Sequence, residues 1–345
     1  MSKNTREIFV TGGAGFIGSA FVRLLLAEPE AYKVTNFDAL TYAGNLDNLE
    51  GLDQARHHFI HGNITDPEAV HAALGENTYA LVNFAAESHV DRSIANAAEF
   101  LSTNIIGTQV LLDAARSGDV KRFIQISTDE VMGSLPENED AFFNEDSPFA
   151  PNSPYAASKA AAEHLVRAAH HTFGLDTVVT RCGNNYGPRQ FPEKFLPLML
   201  SNALNDEPIP VYGDGRNVRD WIYVDDHCRA ILLALKQGRP GAVYNVGARN
   251  ERHNIEVVES LLDLLGKPRS LIRFVKDRLG HDRRYAINPS LIETELGWRP
   301  LETWESGLQK TLDWYRENSR WLERARSGAY QDYYRQQYGT EVRAS

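Results

Sequence analysis

The 345-residue chain has little of what marks a secreted, membrane-spanning or metal-binding protein. Its two cysteines, Cys182 and Cys228, form neither a metal-ligand motif nor a disulfide framework. No apolar run is long enough to cross a bilayer. The first residues lead directly into a predicted strand, so we expect no signal peptide. These absences predict a protein of a reducing, cytoplasmic compartment, without a metal site.

Basic residues are scarce relative to acidic ones. The chain has 36 lysines and arginines against 46 aspartates and glutamates, and its net charge of -10 argues against a general nucleic-acid binder. A phosphorylated ligand stays compatible with this balance, because local basic groups decide that contact. Hydrophobic residues make up 42% of the chain and charged residues 24%, as in ordinary globular proteins. The length predicts about two domains.

A glycine-rich loop follows the first predicted strand. Strand residues 7–10 lead into Gly12, Gly15 and Gly18, and a helix continues to about Leu26. Glycines with this spacing permit a tight turn, a close approach of the backbone to a pyrophosphate, and close packing of the helix. The N-terminus of the helix adds free N–H groups and a positive dipole end. Strand, loop and helix together predict a dinucleotide-binding site.

Asp38 ends the second predicted strand, about 20 residues beyond the glycine loop. A carboxylate in this place accepts hydrogen bonds from a ribose diol and repels a 2′-phosphate. The sequence therefore predicts NAD rather than NADP as the cofactor; the alternative is a plain turn residue. Ala85 and Ala86 end the fourth predicted strand, and their small side chains leave room for the cofactor there.

A hydroxyl and two carboxylates follow another apolar run. Residues 122–126 predict a buried parallel strand, and Ser127, Thr128, Asp129 and Glu130 come next. Ligands of open α/β sheets bind beyond the carboxyl ends of the strands. The alternative is a loop that starts with two surface acids. We favour substrate contact, because the chain also carries a cofactor loop, a Tyr/Lys pair and a segment suited to phosphate.

The Tyr/Lys pair lies on a predicted helix. Ser153 is its expected N-cap, proline occupies the first helical position, and the helix ends near Phe173. Tyr155 and Lys159 are four residues apart and share one face. We expect the ammonium of the lysine, together with the positive nicotinamide ring of NAD, to stabilise the phenolate and to lower the pKa of the tyrosine, which could then act as a base. The alternative is a chance pair on a helix surface.

With these motifs assembled, the chain resembles the extended short-chain dehydrogenase/reductases and, within them, the nucleotide-sugar 4,6-dehydratases. The resemblance covers nearly the whole chain, and the adjacent Asp129 and Glu130 separate dehydratases from related epimerases and decarboxylases. The fold that it implies is α/β. A Rossmann-type, doubly wound parallel sheet is expected over residues 1–186, with residues of about 220–250 returning to it. A smaller C-terminal α/β substrate-binding domain is expected over residues 187–345.

The resemblance also implies roles for individual residues. NAD is expected to contact the strand ends, the glycine loop and the catalytic helix, through Gly12, Gly15, Phe16, Ile17, Gly18, Asp38, Leu40, Thr41, Gly44, Asn63, Ile64, Ala85, Ala86, Thr103, Tyr155 and Lys159. The nucleotide diphosphate is expected to contact Asn184, Arg219 and Asn254. The sugar is expected to contact Ser88, His89, Glu193, Lys194 and Tyr285. A homodimer is implied, in which the helices near residues 103–116 and 153–173 form a four-helix bundle.

The implied reaction is a redox-neutral step of deoxysugar biosynthesis. A nucleoside-diphosphate glucose, first of all dTDP-glucose, is oxidised at C4, loses water across C5 and C6, and is reduced at C6. Tyr155 is the implied base at the C4 hydroxyl, Glu130 the base at C5 and Asp129 the acid at the C6 hydroxyl, while Thr128 bonds O4. The alternatives are a UDP-sugar 4,6-dehydratase, a 4-epimerase or decarboxylase of the same superfamily, and a catalytically silent NAD-binding protein.

The chain departs from the family pattern at a few positions. Asn63 stands where the family usually has Asp, and Met132 replaces a usual Tyr. Ala157 and Gly183 each replace a Ser, and Asn288 replaces an Asp. Asn63 can still accept a hydrogen bond through its carbonyl, so NAD remains the expected cofactor. We expect Met132 to be a packing residue beside the site.

Overall fold

The computed structural model of the chain describes residues 5–29, 32–137 and 140–327. The predicted second domain extends to residue 345, so its last 18 residues, 328–345, lie outside the described part. Within the described ranges, no helix combines the length and the apolar character that a membrane span requires.

The strands alternate with helices through the first half of the chain. The strands are β1 (Arg6–Thr11), β2 (Tyr32–Asp38), β3 (His57–His61), β4 (Thr78–Asn83), β5 (Arg122–Thr128), β6 (Thr177–Cys182), β7 (Asn184–Tyr186), β8 (Ile209–Tyr212), β9 (Val218–Tyr223), β10 (Val243–Val246), β11 (Glu251–His253) and β12 (Ile272–Val275). The helices are α1 (Phe16–Ala27), α2 (Pro67–Ala73), α3 (Val90–Ala95), α4 (Ala98–Phe100), α5 (Thr108–Ser117), α6 (Pro154–Phe173), α7 (Phe195–Leu204), α8 (Val224–Gln237), α9 (Asn254–Leu265), α10 (Ser290–Leu296), α11 (Trp304–Glu317) and α12 (Ser319–Ala325).

The large sheet is parallel and has the strand order β10-β6-β5-β4-β1-β2-β3. Along β1, Ile8 and Val10 belong to the apolar core on one face, and Phe9 belongs to the core on the other. Successive side chains of a strand point to opposite faces, so both faces of the sheet are covered by helices. The predicted α/β fold with a doubly wound parallel sheet is confirmed. The order of the strands reverses between β1 and β4, which is where such folds bind ligands.

A second apolar core is formed by residues that follow β6 in the sequence. It includes Trp221 of β9, Trp304 of α11 and Trp321 of α12, together with buried residues of α7 and α9. Two small sheets accompany it, one with the order β11-β9-β7 and one that pairs β12 with β8. Strand β10 and helix α8, by contrast, contribute to the core of the large sheet. The chain therefore crosses to the second core and returns to the first.

The predicted elements differ from the observed ones around two functional segments. The helix expected near Thr103 begins as a π-helix, Leu101–Gly107, and continues as α5. Strand β5 extends to Thr128, two residues further than predicted, and Asp129–Met132 form a 3-10 helix. The two carboxylates therefore lie on a tight turn directly at the edge of the sheet.

Candidate active site

A cavity of about 320 Å³ opens at the carboxyl ends of the parallel strands. It brings together most of the residues that the sequence predicts for cofactor, substrate and catalysis: Gly12, Gly15, Phe16, Ile17, Gly18, Asp38, Thr41, Gly44, Asn63, Ile64, Ala85, Ala86, Ser88, Thr103, Thr128, Asp129, Glu130, Tyr155, Lys159, Asn184 and Lys194. Sequence positions more than 180 residues apart thus face one space. Six predicted residues do not line it: Leu40, His89, Glu193, Arg219, Asn254 and Tyr285.

The glycine loop is shaped by close backbone approaches. Gly12 has a φ of +69°, and a Cβ there would lie 2.6 Å from the nitrogen of Ala85. A Cβ on Gly18 would lie 2.2 Å from the carbonyl oxygen of Gly12. Neither position accepts a side chain, so the loop keeps its backbone open toward the cavity. The Asp38 carboxylate accepts hydrogen bonds from the nitrogens of Ala14 at 2.9 Å and Leu40 at 2.8 Å.

Thr128 organises the turn that carries the two carboxylates. Its hydroxyl donates to Oδ1 of Asp129 at 3.3 Å and accepts from the nitrogen of Glu130 at 3.3 Å. Asp129 is buried, and among the described residues its Oδ2 has no hydrogen-bond partner. A buried polar atom without a partner calls for an explanation, and a catalytic role is one such explanation. This oxygen is therefore a candidate for contact with a ligand.

Helix α6 presents Tyr155 and Lys159 to the cavity. The Ser153 side chain accepts from the nitrogen of Ala156 at 3.1 Å and caps the helix, as predicted. Both Tyr155 and Lys159 are buried. The Lys159 ammonium donates to the carbonyl oxygen of Ile126 at 2.6 Å, so the lysine is tied to strand β5.

Burial is the main cause of the pKa shifts of Asp129, Glu130 and Tyr155. Burial, followed by the repulsion of Glu130, raises the pKa of Asp129 well above its ordinary value. Burial also raises the pKa of Glu130. The pKa of Tyr155 is raised well above its ordinary value by burial and then by Glu130. Burial therefore outweighs any stabilisation of the phenolate by the protein, and the lowering of the pKa of Tyr155 that was expected from Lys159 and the nicotinamide ring stays a prediction for the protein with bound cofactor.

Lys159 itself has a displaced pKa. Burial lowers it to about 8, and the negative charge of Glu163 acts in the opposite direction. An ammonium with this pKa is still mostly protonated at neutral pH. An acid with a raised pKa and a lysine with a lowered pKa thus share one cavity, and such perturbed pKa values cluster at functional sites.

Basic and aromatic side chains lie within electrostatic reach of Glu130, and of these Lys194 lines the cavity while Arg219 and Tyr285 lie outside its lining. The Lys194 ammonium donates to the carbonyl oxygen of Ser88 at 2.7 Å, and Glu193 pairs with Arg92 at 2.9 Å. Arg219 stacks over the ring of Tyr285, with 4.3 Å from its guanidinium carbon to the ring centroid. The positive charge of Arg219 lowers the pKa values of Asp129 and Glu130 against the effect of burial. Arg219 therefore lies within electrostatic range of both carboxylates.

Sequence reasoning missed several residues of this region. Glu87 and Cys182 line the cavity beside the predicted residues. Arg278 lies 3.7 Å from a carboxylate oxygen of Asp91, and its charge lowers the pKa of Glu130 against the effect of burial. The sequence could have indicated Arg278, because it lies only two residues before the polar segment that begins at Gly280. No local pattern distinguishes Cys182.

Met132 lies behind the carboxylates. It is buried in a small core cluster with Val131, Phe143 and Ala160, and it does not line the cavity. Its sulfur lies 3.7 Å from a guanidinium nitrogen of Arg181. This position makes it a packing residue. Within the described ranges, no group of three or more His, Cys, Asp or Glu side chains is placed to hold a metal ion.

Comparisons with known proteins agree on one family. Residues 9–311 match the sequence model of the family described as GDP-mannose 4,6 dehydratase. A dTDP-glucose 4,6-dehydratase of Xanthomonas campestris is 52% identical over 341 residues, which cover 93% of this chain and 96% of the relative. The crystal structure of the dTDP-glucose 4,6-dehydratase from Streptomyces venezuelae, solved with NAD and a second ligand, matches with a TM-score of 0.90. It is 50% identical and covers 92% of this chain and 99% of that one.

A related enzyme class shares the fold at a greater distance. The UDP-glucose 4-epimerase of Thermus thermophilus, solved as a complex with NAD, matches with a TM-score of 0.83 and 32% identity. The match covers 90% of this chain and 99% of the epimerase. Dehydratase and epimerase chemistry thus occur on closely similar folds, and the choice between them depends on the residues of the site.

Proposed function

Because the chain belongs to the family of dTDP-glucose 4,6-dehydratases, we propose that it converts dTDP-glucose to the 4-keto-6-deoxy sugar by a redox-neutral dehydration. The observation that carries the proposal is the convergence of Thr128, Asp129 and Glu130 with Tyr155 and Lys159 on one cavity. A 4-epimerase needs the Tyr/Lys pair but has no step for an acid at C6. Asp129, with its raised pKa and its unpartnered oxygen, is suited to that step.

The residues present fit NAD. The glycine loop leaves no space for side chains at Gly12 and Gly18, as required where a backbone approaches a pyrophosphate. The buried Asp38 carboxylate, at the end of β2, would meet the adenosine ribose and would repel a 2′-phosphate. Thr103, Tyr155 and Lys159 would hold the nicotinamide end. When bound, NAD accepts a hydride from C4 of the sugar and returns it at C6.

Tyr155 starts the chemistry as the base at the C4 hydroxyl. Its hydroxyl is buried and its pKa is raised, so a nearby positive charge has to stabilise the phenolate. Lys159 supplies one such charge from the next turn of α6. Its tie to the carbonyl of Ile126 holds the ammonium at the edge of the sheet, where it can also bond a ribose hydroxyl. Thr128 bonds O4 and keeps it aligned with the tyrosine.

Glu130 and Asp129 then divide the elimination of water between them. A ketone at C4 acidifies the C5 proton, which Glu130 removes as a base; a proton is returned to C5 when C6 takes up the hydride. Burial and the adjacent Glu130 both raise the pKa of Asp129, which favours the protonated acid, and in the proposed step this acid donates its proton to the departing C6 hydroxyl. Two neighbouring carboxyl groups take opposite roles when their environments separate their proton affinities. Each such acid or base contributes about 10²–10⁴-fold to the rate.

The substrate extends from this point toward the second core. We assign Ser88, His89, Glu193, Lys194 and Tyr285 to the sugar side, and Asn184, Arg219 and Asn254 to the nucleotide diphosphate. Arg219 has a guanidinium that suits a diphosphate and an aromatic partner in Tyr285. In this division, residues 1–186 with the returning segment of about 220–250 hold the cofactor. Residues 187–345 mainly hold the nucleotide sugar.

The product identifies the reaction. Purified protein supplied with NAD and dTDP-glucose should form a sugar nucleotide whose mass is that of the substrate less one water. UDP-glucose in a parallel incubation distinguishes the thymine from the uracil nucleotide. A product of unchanged mass would identify an epimerase, and the absence of any product from either substrate would contradict the proposal.

The dimer is a further part of the proposal. Leu101 and Ile106, on the π-helix that leads into α5, are 47% and 56% exposed, and Phe173 at the end of α6 is 56% exposed. Exposed apolar side chains on these helices support an interaction surface in this region, although Arg116 of α5 stacks on the ring of Phe173. The α5 and α6 regions of two copies would form a four-helix bundle. Both cysteines are free and buried, which is consistent with the cytoplasm as the proposed compartment.

Replacing one of these residues should break the dimer. Ile106→Lys introduces a charge at the centre of the proposed bundle, and we expect a monomer by light scattering after gel filtration. The matched control is Leu301→Lys, since Leu301 is 73% exposed on another part of the chain and should leave the dimer intact. A dimer that persists in Ile106→Lys would exclude this surface.

A further inference from the structure

A buried charge cluster lies one helical turn beyond the lysine of the active site. Glu163 follows Lys159 by four residues on α6, so the two share one face with Tyr155. Glu163 accepts a hydrogen bond from the hydroxyl of Ser127 at 2.5 Å. Arg181 binds the same carboxylate with a fork of two nitrogens, at 2.8 and 3.0 Å. Glu163 and Arg181 are each 3% exposed.

We propose that Glu163 is a positioning residue of the reaction, which acts on Lys159 both through Ser127 and through its own negative charge. The inference rests on the proposed function, because it assigns Lys159 a task in that reaction. Glu163 itself does not line the cavity. It belongs to none of the residue sets assigned above to catalysis, cofactor or substrate.

The first route is mechanical. The Lys159 ammonium donates to the carbonyl oxygen of Ile126, and the next residue of β5, Ser127, is bonded to Glu163. Two successive residues at the end of the strand are therefore attached to two successive turns of α6. The Ile126 carbonyl also accepts from the side-chain nitrogen of Gln125 at 3.2 Å. In the proposed arrangement, the bond between Ser127 and Glu163 holds β5 against α6 beside this carbonyl and so helps to set the place of the ammonium.

The second route is electrostatic. Glu163 on α6 and Cys182 on β6 act on the charge of Lys159. Arg181 on β6 pairs with Glu163, and Asp129, after β5, acts together with Lys159 on Cys182. Burial lowers the pKa of Lys159 to about 8, and Glu163 is the larger of the two influences that oppose this, ahead of Cys182. Without the carboxylate, the pKa of Lys159 would fall below this value. A larger fraction of the lysine would then be neutral at neutral pH.

Packing alone does not explain why this buried position holds two charged side chains, because burying charges is energetically unfavourable. A buried ion pair gives weak support to stability, because the desolvation of both charges offsets their attraction. Arg181 extends from Glu163 to the carbonyl oxygen of Glu145 at 3.1 Å and to the sulfur of Met132. The arginine thus has partners of its own, while the carboxylate lies on the face that it shares with Lys159. This arrangement favours a role for the carboxylate beyond neutralising the arginine.

The test measures the protonation of Lys159 directly. Purified protein is labelled briefly with trace acetic anhydride over a range of pH, and the acetylated Lys159 peptide is quantified by mass spectrometry, because only the neutral amine reacts. Glu163→Gln should lower the apparent pKa of Lys159 by about one unit, the scale of a lost opposite charge at close range. Glu163→Asp keeps the charge and should stay near the parent curve. The alkaline limb of kcat/KM for dTDP-glucose should move down by a similar amount in Glu163→Gln.

A double variant keeps the inference testable if Glu163→Gln fails to fold. That single change leaves Arg181 as an unpaired buried charge, whereas Glu163→Gln with Arg181→Gln removes both charges. Because the loss of the Arg181 charge alone would raise the pKa of Lys159, the double variant is compared with Arg181→Gln, from which it differs only in the carboxylate. A lower Lys159 labelling curve in Glu163→Gln than in the parent, or in the double variant than in Arg181→Gln, supports the proposal. Equal curves in the folded pair overturn it and leave Glu163 a structural residue. The labelling does not require turnover, so a parent protein without dehydratase activity would contradict the proposed function alone.

Discussion

Asp129→Asn is expected to stop the reaction after the sugar has been oxidised at C4. Asparagine keeps the size and shape of the side chain, but it cannot donate a proton to the departing C6 hydroxyl. Hydroxide is a poor leaving group, so elimination should slow by about 10²–10⁴-fold. Tyr155, Lys159 and the glycine loop are unchanged in this variant. The first step should therefore continue to occur on the enzyme.

The accumulated intermediate is detected by mass spectrometry of single-turnover reactions that are run in D₂O and then quenched. The sugar nucleotide should appear as the C4 ketone, which has two hydrogens fewer than the substrate and, after exchange, one deuterium in place of the C5 hydrogen, while the species that has lost water should be scarce. Deuterium should enter at C5, because Glu130 can still remove and return that proton. Normal formation of the dehydrated product would remove the most specific support for the dehydratase mechanism. An unoxidised substrate would assign Asp129 to binding or to the first step.

Glu130→Gln is the matched control for Asp129→Asn. Both variants remove one carboxylate from the same 3-10 helix, and both should accumulate the oxidised sugar. They differ in the C5 proton, since Glu130→Gln has lost the base that removes it. We therefore expect no deuterium at C5 in Glu130→Gln. Equal exchange in the two variants would mean that the roles of the two carboxylates are not divided as proposed.

Tyr155→Phe is expected to abolish turnover while the protein keeps its cofactor. Phenylalanine fills the same space and preserves the edge contact with Phe100, whose ring centroid lies 6.4 Å away. It cannot accept the proton of the C4 hydroxyl, so oxidation should fall by about 10²–10⁴-fold or more. The glycine loop and Lys159 remain, so the NAD content of the purified variant should match the parent.

The measurement compares kcat on dTDP-glucose with the NAD released on denaturation. Tyr244→Phe is a suitable control, because Tyr244 is also a buried tyrosine, and its hydroxyl bonds Glu295 far from the cavity. That control should retain turnover. Near-parent turnover in Tyr155→Phe would exclude Tyr155 as the base.

The parts of the site that sequence predicted are those with local geometry. Tyr155 and Lys159 meet because one helix separates them by four residues, and Asp38 bonds the nitrogen of Leu40, two residues on. The glycine spacing is equally local, because the clash at Gly18 involves the oxygen of Gly12. Fixed spacing on one element suffices for such predictions.

The parts that sequence did not predict depend on packing between distant elements. The carbonyl that holds Lys159 lies 33 residues away in the chain, and Glu163 pairs with Arg181 across a helix and a strand. The raised pKa of Tyr155 is a consequence of burial, which spacing alone does not measure. The same holds for Met132, whose position behind the turn follows from contacts with Phe143 and Ala160.

The fate of the hydrogen at C4 tests the central claim most directly. dTDP-glucose carrying deuterium at C4 is converted by the purified protein in ordinary water, and the product is analysed by NMR. A redox-neutral dehydration predicts that the deuterium is found at C6 of the 4-keto-6-deoxy sugar, while C5 carries a proton from water. Deuterium that remains at C4, or that is lost from the sugar altogether, would contradict the account.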